Sequence, residues 1–127
     1  MVSRKPPIGL EGAPHLIENG RSLEGLTEEM EVFSGTAREA VKGFPANLNV
    51  SAAVSLAGLG PDRTQVKMLA VPGLERNCHD IEVVGEFGIL RVYIENIPSE
   101  NPKTGKLTAL SIIRSVQDAV DPFRIGT

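Results

Sequence analysis

Between positions 64 and 96 apolar side chains recur at every second residue, and this period constrains the fold more than any other feature. TQVKMLAV, HDIEVV and ILRVYIEN are strand-like runs. The last two are joined by Gly85-Glu86-Phe87-Gly88, which reads as the turn of a β-hairpin. Within ILRVYIEN, Leu90, Val92 and Ile94 alternate with Arg91, Tyr93 and Glu95, which predicts a half-buried antiparallel strand.

The flanking segments carry other periods. Residues 1–30 hold Pro6, Pro7, Gly9, Gly12, Pro14, Gly20 and Gly25, so an extended entry, loop and a helical turn are expected. An edge strand is expected at 31–34. Ser34 and Thr36 are N-cap types, and TAREAVKGF is helical until Gly43 and Pro45 stop it. Val50, Ala53, Val54 and Ala57 predict a second helix over 48–59, ended by Gly58 and Gly60. After SENPKTG, the stripe Leu107, Leu110, Ile113, Val116 and Val120 predicts a closing helix. The order β-α-α-β-β-β-α gives an α+β fold: a mixed, largely antiparallel sheet with helices packed on one face.

Composition narrows the class. With 127 residues the chain has the size of a single domain, 1–127, and its 41% apolar and 23% charged residues are ordinary for a globular protein. Four Phe, one Tyr and no Trp leave the core to Leu, Ile, Val and Ala. A net charge of −3 without long basic runs argues against nucleic acid and anionic membrane as partners. One cysteine excludes an internal disulfide. Neither a membrane-spanning apolar run nor a signal-peptide core is present, so a cytoplasmic domain is expected.

Candidate chemistry is sparse. No phosphate-binding glycine motif occurs, and AGLGPDR sits at a helix end, where it reads as a turn. In NCHDIEV, Cys78 and His79 are adjacent on a strand, so they point to opposite faces and cannot act together as nucleophile and base. No metal site is expected, since His15 is the only other histidine. His79 shares its face with Ile81 and Val83, which turns its ring toward the interior or a cleft beside it. On pattern alone the default for such a histidine is a structural one with satisfied ring nitrogens. Asn47 reads as an N-cap, which puts Asn49 in the first helical turn. NPKTG is either a loop capped by Thr104 or, with Lys103 and the helix N-terminus behind it, a carboxylate-binding turn.

Four segments, RKPP, SGTAREAVKGFPANLNVSAAVSLAG, DRTQVKMLAVP through NCHDIEVVGEFG, and IENIPSENPKTGKLTALSII, appear in that order across nearly the whole chain. Together they resemble the C-terminal catalytic domain of L-aspartate dehydrogenase. The resemblance implies NAD- or NADP-dependent oxidation of L-aspartate to iminoaspartate, which feeds NAD biosynthesis or hydrolyses to oxaloacetate and ammonia. It implies a homodimer, and a Rossmann domain preceding this one. On the family's pattern His79 is the catalytic histidine and Asn49 the nicotinamide-side asparagine, while Lys103 and Thr104 are the weaker candidates for holding a substrate carboxylate. A base of pKa near 7 suits that work. Cys78, Asp80 and Gly105 depart from the family's usual threonine, glutamate and serine. The Gly-rich dinucleotide loop is missing from the sequence, so the chain alone is expected to be inactive without a Rossmann-domain partner chain. The alternative expectation is a non-catalytic dimerisation or interaction domain.

Overall fold

The structure, a computed structural model, describes residues 1–97 and 106–120, with backbone alone for 106–109. Two compact units divide the chain, 1–95 and the segment from 96 onward. The first holds β1 (Val2–Lys5), α1 (Pro14–Glu18), β2 (Met30–Thr36), α2 (Ala37–Gly43), α3 (Asn49–Ala57), β3 (Gln65–Ala70), β4 (Asn77–Gly85) and β5 (Gly88–Asn96, whose last residue crosses the boundary). The described part of the second is α4 (Lys106–Val120). No helix among the described residues is long and apolar enough to cross a membrane.

The fold is α+β. Its five-stranded sheet runs in the order β2-β3-β1-β4-β5. The extended entry expected at the N-terminus is the central strand: β1 pairs parallel with β3 and antiparallel with β4. β2 pairs antiparallel with β3 at one edge, with a register shift between Glu31 and Phe33. Pro6 and Pro7 end β1, because proline has no N–H to offer a neighbouring strand.

Helix α2 starts where Thr36 and Glu39 form a capping box. Glu39 N–H donates to Thr36 Oγ1 at 3.3 Å, and Glu39 Oε2 accepts from Thr36 N at 2.9 Å. At its other end Gly43 lets α1 approach: a Cβ there would stand 2.8 Å from His15 Cβ. In α3 the cap position belongs to Leu48 rather than Asn47. Asn47 instead donates its Nδ2 to the Gly9 carbonyl at 2.7 Å, tying the helix start to the N-terminal loop.

The core lies between the helices and one face of the sheet. Val32, Val66, Met68 and Ala70 meet Leu16, Ala37, Ala40, Phe44 and Leu48. Cross-strand pairing fixes what shares that face: Ser3 lies opposite Met68 and His79, and Lys5 opposite Ala70.

The hairpin of β4 and β5 forms with a turn at Glu86-Phe87, and Gly88 supplies the φ of +128° that closes it. The expected half-burial of β5 is not found. Leu90 and Val92 are exposed, Leu90 by 59%. Alternation gives one buried face only where an apolar layer covers it, and within this unit α2 packs on β2 and β3, at the far side of the sheet.

Candidate active site

The sheet brings three polar residues onto its helix-facing side: Ser3 and Lys5 from β1, and His79 from β4. All three are buried, with exposures of 0%, 6% and 3%. Ser3 Oγ and His79 Nδ1 stand 2.9 Å apart. One ring nitrogen is therefore held, and the ring is fixed in orientation. The partner nitrogen, Nε2, makes no hydrogen bond among the described residues.

Strand alternation sends the neighbours of His79 to the other face. Asp80 forms an ion pair with Arg4 there, and Cys78 is buried with its Sγ 3.4 Å from the Arg76 carbonyl. Cys78 is a free thiol turned away from the imidazole.

The environment decides the charge state of the imidazole. Burial, and then the positive charge of Lys5, push the His79 pKa down to about 4, with Asp80 pulling weakly the other way. The value near 7 expected for a working base is thus not that of this structure, because the ring has left water and faces a cation. At neutral pH His79 is uncharged and carries a free lone pair, the form a base requires. Lys5 is itself shifted down by burial.

Asn49 opens α3 with an exposed side chain that makes no hydrogen bond among the described residues. Two positions on, Ser51 Oγ is buried without a partner among the described residues. An uncommitted carboxamide at a helix start is suited to pairing with the carboxamide of a nicotinamide ring, since each offers a donor and an acceptor. No hydrogen bond joins Asn49 to His79. Lys103 and Thr104 lie outside the described residues.

His15 proves to be packed in aromatic company, its ring centroid 5.4 Å from both Phe33 and Phe44. A cleft of about 310 Å³ next to it, lined by Asn19, Arg21 and Glu31 among others, is remote in lining from the Ser3–His79 pair. Sequence reasoning missed Ser3 and Lys5. Alternation puts Ser3 and Lys5 on one face once VSRK is paired as a strand, but four residues show too little period to announce that strand.

Comparison with known proteins places the chain in a family. The family model described as aspartate dehydrogenase, C-terminal, matches residues 1–119. L-aspartate dehydrogenase 3 of Bordetella bronchiseptica is 57% identical over 127 residues, covering 100% of this chain and 47% of that protein. L-aspartate dehydrogenase of Methanosarcina mazei is 53% identical over 128 residues, with the same two coverages, 100% and 47%. The chain spans less than half the length of these relatives. The crystal structure of aspartate dehydrogenase from Thermotoga maritima superposes with a TM-score of 0.68 at 26% identity, over 98% of this chain and 45% of that one. On these grounds the chain belongs to the aspartate dehydrogenase C-terminal domain family.

Proposed function

We propose that this chain is the catalytic, substrate-binding half of an NAD(P)-dependent L-aspartate dehydrogenase, a cytoplasmic enzyme that oxidises L-aspartate to iminoaspartate. The observation that carries the reading is a buried, neutral His79 with one ring nitrogen held by Ser3 and the other uncommitted. In the working tautomer Nδ1–H donates to Ser3 Oγ, which leaves the Nε2 lone pair as the base.

The substrate ammonium gives one proton to Nε2. The nitrogen lone pair then forms the C=N bond as hydride leaves the α-carbon, and iminoaspartate results. A bound nicotinamide dinucleotide supplies the hydride acceptor. Asn49 holds the nicotinamide carboxamide, and Lys103 and Thr104 contribute to carboxylate binding. Hydrolysis of the imine yields oxaloacetate and ammonia, or the imine passes on to NAD biosynthesis. The pyrophosphate and adenosine belong to a Rossmann domain, for which this sequence has no glycine loop.

The test combines this chain with the dinucleotide-binding domain of such an enzyme. L-aspartate-dependent reduction of NAD⁺ or NADP⁺ with release of oxaloacetate is expected. Absence of any aspartate-dependent reduction in a folded preparation would overturn the reading.

A second reading has its own observation. Apolar residues at the β4–β5 hairpin, Val84, Phe87, Ile89 and Leu90 among them, stand exposed. They suit a dimerisation or interaction domain, inactive by itself. Calorimetry with NAD(H) and aspartate separates the two, because tight cofactor binding by the isolated chain contradicts the second.

A further inference from the structure

Resting on the reading just given, we infer that Lys5 is the anchor for a carboxylate of the substrate, placed beside the base by the same sheet face. Lys5 is 6% exposed and makes no side-chain hydrogen bond or ion pair among the described residues. This is an unusual condition, since lysine is almost never so buried unless paired. The other cation of the same strand, Arg4, has Asp80 and Glu29 as partners. An unpaired ammonium in the interior is costly to the fold, and a site that takes up an anion explains why it is there.

Placement supplies the rest. Lys5 follows Ser3 by two residues, so both side chains leave β1 on one face, and His79 lies directly opposite Ser3 on β4. Lys5 is near enough to the imidazole for its charge to be felt there. A short dicarboxylate amino acid bound with one carboxylate on Lys5 has its amino group within the neighbourhood of the base. The charged groups acting on the imidazole are Lys5 and Asp80. A carboxylate on Lys5 offsets the positive one, so substrate binding raises the basicity that proton abstraction needs.

The probe is succinate, which has both carboxylates and no amino group to oxidise, titrated calorimetrically into the 127-residue chain alongside L-aspartate. Lys5→Met is expected to weaken both by about tenfold or more, as loss of a charge-assisted contact does. Lys5→Arg is expected to stay within a few-fold. Lys5→Met should melt at the same temperature as the parent or higher, which separates lost binding from lost fold. Should it not fold, Lys5→Gln serves in its place. Equal succinate affinity in the folded neutral variant overturns the assignment, as does a parent chain that takes up no succinate at millimolar concentration. If the assembled enzyme oxidises no aspartate while Lys5-dependent succinate binding persists, the dehydrogenase reading falls and the carboxylate anchor stands.

Discussion

His79 shows how far a strand period reaches toward chemistry. Alternation in NCHDIEV turns it to the face of Ile81, away from Cys78 and Asp80, and the structure keeps it there against Ser3. Its depressed pKa ties it to stability. Between an unfolded value near 6.5 and a folded value of about 4, the unfolded chain binds the extra proton. Stability is therefore fully present above pH 6.5 and declines as pH falls to about 4, by at most roughly 3 kcal/mol at ~1.4 kcal/mol per unit. Urea unfolding at steps of pH checks this: His79→Gln should lose that part of the slope, and an unchanged slope would refute it. Ser3→Ala leaves Nδ1 buried without a partner and should cost about 1–3 kcal/mol by the same assay. Lys5 was not legible as a site residue in the sequence. A lysine in VSRK looks like a solvated residue, and only burial of one face of the strand, decided by pairing with positions more than sixty residues away, removes it from water.

Elements set by local signals could be read directly. Helix α2 has its cap, its box partner and its stop within TAREAVKG, so its start at Ala37 follows from neighbouring residues alone. Thr36→Ala should lower stability by about 1 kcal/mol, measured by chemical denaturation, because it breaks the box from one side. Gly43→Ala should be more severe than helix propensity suggests, since the added methyl meets His15 Cβ at 2.8 Å and forces α1 away. A melting temperature equal to or above the parent's would contradict that packing. Strand β1 was not legible as a strand. Four residues followed by two prolines carry little pattern, and their partners β3 and β4 are chosen by long-range pairing. The misjudged burial of β5 has a related cause: the pattern of ILRVYIEN reports an apolar face, and not which molecule covers it.

At the scale of the molecule, the helices of the first unit gather over β2 and β3, while the hairpin at the other side of the sheet presents apolar residues outward. That distribution fits a surface meant to be covered, and we propose that a second copy of the chain covers it. Sedimentation equilibrium should find dimers, and Leu90→Glu should shift them toward monomers without loss of secondary structure. A parent chain that sediments as a monomer at high micromolar concentration would contradict the proposal. We propose that the buried, Ser3-held imidazole is the base of an aspartate-oxidising site. Steady-state turnover of L-aspartate by His79→Gln, in this chain combined with the dinucleotide-binding domain of an aspartate dehydrogenase, is the decisive measurement. A fall in kcat of about 10²–10⁴-fold with dicarboxylate binding retained is expected; turnover within a few-fold of the parent would remove His79 from the role of base.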